Sequence, residues 1–368
     1  MDELIKKMDK KKMAIGIIVF IVIIVCLIGG SLLYYNLFAK KNFQEIETIM
    51  TNAAKEYYNY HQKELPTNSG ESKSISISDL VASEYMKTTE EYLKDENIIC
   101  KGSVNVTNVN GNFRYVPLLD CGKDYSYKML VDYIKENESV VTYSDGLYNI
   151  NDTLVFKGEK INNYVKFAGT TWRIIKITEN KIMLIYNDKG PRNCWDDRYN
   201  TSKKSNIGIN DYTVSRIRDA LNNLYTTNSM FGSKDKLLLS SFNLSIGKVG
   251  ENEDDRNGEI GKSSILENEY IGLLSITDYM NASLDSNCNY ASNPACANYN
   301  FLSDYEYNFW LLTGDKNTSY NVYQVSSNTG AYLVKSSSNG YIRPVIMITD
   351  DAIYTGGKGT LEKPYTFK

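Results

Sequence analysis

The sequence predicts an α+β protein: an N-terminal membrane-spanning and stalk helix on a small antiparallel sheet, followed by a β-rich domain. Three observations predict it. The uncharged run Met13 to Phe38 is followed by apolar residues at helical spacing. Two short β-like runs lie between Cys100 and Cys121. From residue 161 onward apolar runs are short, alternating and separated by Gly, Asn and Asp. A chain of 368 residues also exceeds one ordinary core, so two folded units are expected.

Residues 1–12 form a basic tip carrying Lys6, Lys7, Lys10, Lys11 and Lys12. Residues 13–38, MAIGIIVFIVIIVCLIGGSLLYYNLF, are long and apolar enough to cross the hydrocarbon layer of a lipid bilayer as one helix. Only Lys40 and Lys41 follow closely. The positive-inside rule therefore leaves the N-terminus in the cytoplasm and exports everything after Ala39, giving a single-pass cell-surface protein. The competing reading is a signal peptide cleaved after Gly29 or Gly30, although the run is longer than a typical signal core. Cys26 follows Val25, which is bulkier than the residue preceding a lipidated cysteine, and reads as part of the span.

Residues 39–128 form the first exported module. Phe43, Ile46, Met50, Ala53 and Tyr57 recur at helical spacing, so the span continues outward as an amphipathic stalk that ends by Pro66. A short helix follows in SISDLVASEYMK with Ser78 as its cap. The runs KGSVNVTNV and NFRYVPLLD then pair, and Cys100 and Cys121 are plausible disulfide partners across that hairpin. Residues 129–160 read as a connector with one or two strands.

Residues 161–350 open on a meander in which Val165 and Phe167 alternate and Trp172, Ile174 and Ile177 follow, with KIMLIY returning after a turn. DYTVSRIRDALNNLY places Val214, Ile217, Ala220, Leu221 and Leu224 on one helical face. After long polar segments come four β-like runs, NFWLLTG, YNVYQVSS, GAYLVKS and GYIRPVIMI, and residues 351–368 end in a tail turn and strand. In the last of the four, Arg343-Pro344 interrupts a row of strand formers. Proline cannot donate to a sheet ladder and marks an edge or bulge, while a buried or half-buried arginine, paired with a carboxylate or backbone carbonyls, locks the closing strand.

Net charge of −3 and the lack of a basic cluster beyond the tip give no footprint for nucleic acid. The 30 tyrosines suit exposed surfaces that make contacts through aromatic faces. Trp195 sits in PRNCWDDRYN with Asp196, Asp197 and Arg198, and an aromatic beside carboxylates in a polar loop is what glycan recognition uses, so these four residues are the expected ligand site. Trp172 and Trp310, inside strand motifs, read as core. In ENEDDRNGE, Glu253, Asp255, Asn257 and Gly258 fit the first positions of a calcium loop, yet Ser264 stands where a bidentate glutamate belongs, so a solvated acidic loop is the simpler reading and no cofactor is expected. Cys288 and Cys296 bracket NYASNPA and are placed to staple it, leaving Cys194 as a free or intermolecular thiol. The only histidine, His61, lies at the stalk's end, which excludes a histidine-based triad from the second unit. Nothing in the pattern sets an oligomeric state.

Two resemblances follow from these features. Residues 13–128, a long helix leading into a small sheet, resemble type IV pilins and pseudopilins, without the Gly-Phe-Thr-x-x-Glu processing site. The likeness implies a membrane-anchored module, with an envelope or secretion assembly component as the alternative role. In residues 161–350, Trp172-Arg173, Trp310-Leu311 and Gly340-Tyr341-Ile342-Arg343-Pro344 form a W-R … W-L … G-x-R-P pattern that resembles an uncharacterised bacterial surface domain. That domain is similar to the C-type-lectin-like fold of the formylglycine-generating-enzyme group. Leu312-Thr313 replaces a common Arg-Ser, and Ile342 is an extra residue before Arg343-Pro344. The likeness makes Trp172, Arg173, Trp310, Arg343 and Pro344 a fold signature and implies a non-enzymatic module that binds an extracellular glycan or protein. The alternative it implies is an exported oxidoreductase working through Cys288 and Cys296.

Overall fold

The computed structural model describes residues 39–327 and 329–368. The basic tip and the membrane span expected over residues 1–38 lie outside them, and among the described residues no helix is long and apolar enough to cross a membrane. The chain divides after Ser126 into two units.

In the first unit the helix Phe43–Tyr60 starts on a capping box. The Asn42 side chain accepts from Glu45 N at 2.9 Å and the Glu45 carboxylate accepts from Asn42 N at 2.8 Å, satisfying two of the helix's free donors. Ile46, Met50 and Ala53 are buried, with Phe43 and Tyr57 partly buried beside them, as the spacing predicts. They pack on the sheet β1 (Ser72–Ser76), β2 (Lys101–Val109) and β3 (Asn112–Asp120), antiparallel throughout. Asn110 and Gly111 join β2 to β3 with φ of 52° and 82°, the left-handed pair a tight hairpin demands. Cys100 and Cys121 form a disulfide just past the pair Lys101 and Asp120, closing the hairpin's open end. The helix Ile77–Ala82 is capped by Ser76 and not by Ser78: Ser76 Oγ accepts from Asp79 N at 3.0 Å, because the three-residue spacing to an acid belongs to Ser76.

The second unit is mostly sheet. Its strands begin with β4 (Gly146–Ile150), β5 (Thr153–Lys157), β6 (Tyr164–Phe167), β7 (Thr170–Thr178) and β8 (Lys181–Tyr186). Then come β9 (Arg192–Cys194), β10 (Leu239–Ser240), β11 (Phe242–Ile246), β12 (Lys248–Val249), β13 (Ser264–Glu269) and β14 (Gly272–Leu273). The last large ones are β15 (Phe309–Asp315), β16 (Asn321–Ser326), β17 (Gly330–Lys335), β18 (Asn339–Tyr341) and β19 (Pro344–Ile348). One sheet runs β10-β19-β8-β7-β5-β4, with β14 on β19 and β6 on β7. A second runs β17-β16-β15-β18-β9, with β12 on β15, and β11 and β13 form a separate two-stranded ribbon. Trp172, Ile174, Leu184, Phe309, Leu311, Val322 and Ile346 belong to one continuous core.

Three expectations change here. Residues 129–160 are not a connector: the helix Leu130–Asn137 buries Leu130, Val131 and Ile134 in the second core, and β4 and β5 extend its larger sheet. The tail joins the same unit, since Tyr365 bridges to Val165. The run NGYIRPVIMI is two strands in two sheets. Tyr341 ends β18 beside Phe309 of β15, Ile342 and Arg343 make the crossing, and Pro344 opens β19, which is flanked by β14, β8 and β10. Pro344 therefore marks neither an edge strand nor a bulge. It stands first in a central strand, the one interior place where a missing N–H is tolerated.

The helix Arg216–Thr226 forms as predicted, with Ile217 and Leu221 buried and Ala220 and Leu224 packed on the core. Val214 falls in the preceding turn and is exposed.

Candidate functional site

The loop expected to carry the ligand is a structural corner. Trp195 is 0 % exposed, its indole N–H donating to Leu311 O at 3.0 Å and its ring centre 6.0 Å from that of Tyr212. It cannot serve as a stacking platform. Asp196 is equally buried and accepts from Arg198 N (3.1 Å), Arg198 Nε (2.8 Å), Ile209 N (3.1 Å) and Arg216 N (3.3 Å), which ties three segments to one carboxylate. Of the four residues only Asp197 is exposed, and it pairs with Arg216 at 2.6 Å. The polar sequence around Trp195 serves this buried carboxylate at Asp196, while Arg192, Asp197 and Tyr199 face solvent.

The signature residues are also interior. Trp172 donates to Phe167 O (3.1 Å) and Thr170 Oγ1 (2.9 Å), and Trp310 donates to Asn193 O at 2.9 Å. Arg173 donates to Asn163 Oδ1 (2.8 Å) and Phe301 O (3.1 Å) between the rings of Tyr164 and Phe301. Arg343 donates to Tyr186 O (2.7 Å), Asn187 Oδ1 (3.0 Å) and Leu302 O (3.4 Å) between Tyr305 and Phe309. Burial pushes both guanidinium groups down, Arg173 to about 10 and Arg343 to about 9. Both still carry charge at neutral pH, held by carbonyls and ring faces.

In the acidic loop the oxygens of Glu253, Asp255 and Asn257 already meet protein donors. Asp255 is buried and accepts from Ile260 N (2.8 Å), Gly261 N (3.1 Å) and Thr277 Oγ1 (2.7 Å). Glu253 accepts from Gly250 N at 2.7 Å and from Lys316 Nζ at 2.5 Å, and that lysine bond holds its carboxyl below the usual range. Asn257 Oδ1 accepts from Glu259 N. Among the described residues no three His, Cys, Asp or Glu side chains are grouped to hold a metal ion.

Cys288 and Cys296 form a disulfide with both residues buried, and the loop they close bonds to the acidic loop through Ala291 N to Glu253 O and Ser292 N to Glu251 O. Replacing both cysteines with alanine is expected to lower stability by about 2.5 kcal/mol, the entropy of closing so short a loop. Equilibrium denaturation measures it, and an unshifted midpoint would mean that packing alone holds the loop. Cys194 is a free, half-buried thiol. Burial and then Asp197 push its pKa up, the opposite of an activated nucleophile.

What the fold does assemble is a cleft of about 290 Å³ beside the β11–β13 ribbon. Met183, Leu244, Leu273, Leu312 and Val345 supply its apolar lining. Lys176 and Asp278 pair at 2.6 Å on its polar side, 25 % and 16 % exposed. A register shift in β7 between Ile174 and Lys176 re-aims the lysine, as bulges do. Asp278 comes from the short helix Ile276–Asn281, whose cap Ser275 donates to Asp278 Oδ2 (2.8 Å) and accepts from Asp278 N (3.0 Å). Thr313 fixes the same turn by accepting from Ile276 N at 3.1 Å. Lys262 and Glu259 at the rim have no side-chain partner among the described residues. A second cleft of about 330 Å³ lies at the ribbon's other end, past Ile246 and Lys248, and shares Leu312. Both are at the small end for ligand pockets, enough for one sugar or one peptide side chain.

Sequence reasoning missed Lys176 and Asp278, which lie 102 positions apart. The spacing Ser275-x-x-Asp278 was the one available signal, since it marks a helix start in a stretch otherwise read as polar loop. No family model, curated protein or solved structure matches this chain.

Proposed function

We propose that the chain is a single-pass, membrane-anchored cell-surface protein whose second unit is a non-enzymatic extracellular binding module, with the cleft at Lys176 and Asp278 as its ligand site. The observation that carries this reading is the cleft itself: an apolar lining opposed by an ammonium, a carboxylate and hydroxyls, the mixed chemistry that holds a sugar or a polar peptide side chain. The two disulfides are consistent with an oxidising, extracellular setting. The uncharged run before the described residues supports the anchor.

The non-enzymatic reading is supported by the state of the cysteines. A dithiol oxidoreductase would need Cys288 and Cys296 accessible, whereas both are buried and joined. His61, far along the chain in the first unit, stacks on Tyr57 at 4.1 Å. The helix-on-sheet layout of the first unit favours one second reading, a pseudopilin-like assembly component, for which detergent-resistant filaments would be the sign.

The test is a glycan array probed with the full chain in detergent, beside Lys176→Ala and Asp278→Asn. Each variant is expected to weaken ligand binding about tenfold or more, the loss of one charge-assisted contact. The pair is mostly buried, so each variant is expected to lose about 1–3 kcal/mol of stability, and its unfolding midpoint is measured beside its binding to separate loss of fold from loss of contact. Binding unchanged in both variants, or thiol-dependent oxidase activity, would sink the reading.

A further inference from the structure

Apart from the cleft, one face of the smaller sheet collects polar groups that the fold does not use. The loop Asp188–Pro191 is held rigidly against it. Tyr305 Oη donates to Asp188 O at 2.9 Å and accepts from Gly190 N at 3.3 Å, so a single phenol clamps the chain on both sides of Lys189. Ile342 N donates to Pro191 O at 2.8 Å, and a Cβ on Gly190 would stand 1.9 Å from Ile342 O, so the two backbones touch and only glycine fits.

From this clamp Lys189 projects into solvent with Nζ 4.9 Å from the ring centre of Tyr307 and 5.6 Å from that of Tyr341. The two rings are half-buried, 4.6 Å apart and inclined at 43°. Arg192 lies directly opposite Tyr341 in the β9–β18 pairing and leaves the sheet on the same face. Neither cation has a carboxylate partner among the described residues, and neither phenol hydroxyl has a hydrogen-bond partner there. The acids nearest in sequence are Asp188, whose carboxylate accepts from Thr171 N at 3.1 Å, and the exposed Glu306.

Unpaired cations on a flexible surface mean little. Here one lies over two rings on a clamped backbone, next to two unused phenols and an unpaired guanidinium. We propose that this face binds an anionic polysaccharide, a sugar polymer bearing carboxylate or phosphate groups. Lys189 and Arg192 pair with successive anions, and the hydroxyls of Tyr307 and Tyr341 bond to sugar oxygens. Two cations beside two phenols on one sheet face match a polymer that carries both anionic groups and sugar hydroxyls. The inference rests on the reading of the second unit as an extracellular binding module but uses none of the cleft residues.

The experiment uses the full chain in detergent against polygalacturonate and poly(glycerol phosphate), which separate carboxylate from phosphate as the anion. Dextran, poly-glutamate and an oligothymidylate serve as comparisons. One or both anionic polysaccharides should bind, weakening with salt as exposed charges are screened. The Lys189→Ala/Arg192→Ala variant should lose about tenfold in affinity and Tyr307→Phe/Tyr341→Phe severalfold, with unfolding midpoints unchanged. Lys176→Ala should leave this binding intact. If Lys176→Ala abolishes polysaccharide binding while the Lys189/Arg192 variant retains it, the proposal fails and the cleft reading stands. Absence of binding to both anionic polysaccharides, or equal affinity for poly-glutamate or the oligonucleotide, overturns it as well.

Discussion

Replacing Arg343 with alanine is expected to destabilise the second unit by about 4 kcal/mol, measured as the loss in its denaturation free energy. Two effects oppose each other. Burial of the guanidinium without a carboxylate partner costs free energy, which is why its pKa falls to about 9. Removing it, however, leaves Tyr186 O and Leu302 O buried and Asn187 Oδ1 half-buried without this donor, and opens a void between Tyr305 and Phe309. Each of the two buried carbonyls left orphaned costs about 1–3 kcal/mol, and with the void their sum exceeds the recovered desolvation. Arg343→Met, which fills the void but donates nothing, should lose about 2–3 kcal/mol. Arg343→Lys should restore little, because one ammonium cannot reach three acceptors spread over two segments. If the methionine variant matched the wild type, the cation's burial would cancel its hydrogen bonds and the crossing would be held by packing.

Trp195→Ala carries a comparable effect and separates two readings of one residue. Fully buried and bonded to Leu311 O, Trp195 should cost about 4 kcal/mol when truncated. For a unit of this size that is a fall of roughly 10 °C in unfolding temperature. Trp195→Phe keeps most of the volume and should lose about half as much, mainly through the orphaned carbonyl. A sugar-stacking platform would behave oppositely, with stability unchanged and ligand affinity lost. Calorimetry on the three proteins distinguishes the cases.

Much of the fold was legible. The helical face of Ile46, Met50 and Ala53, the alternation through Val165 and Phe167, and the face of Ile217 and Leu221 are local patterns, and burial follows them because neighbours in sequence decide which way each side chain points. Both disulfides join the cysteines that flank a hairpin or bracket a loop, since short loops bring such pairs together whatever surrounds them. The site was not legible. Lys176 and Asp278 are unremarkable in a strand and a polar stretch, and their pairing depends on where separate elements dock.

By itself the sequence determined an uncharged run long enough for a bilayer, a helix leading into a small sheet, a β-rich second unit and two cysteine pairs close enough in sequence to be joined, which the structure then joins. Only the tertiary structure decided that Asn339 to Ile348 serves two sheets, that Trp195 is core, and that Lys189 and Arg192 share a face with Tyr307 and Tyr341. The physical reason is range. Periodicity reports the face a residue takes within its own element, whereas burial of a tryptophan, partners for an arginine and convergence of charges are set by groups more than a hundred positions away.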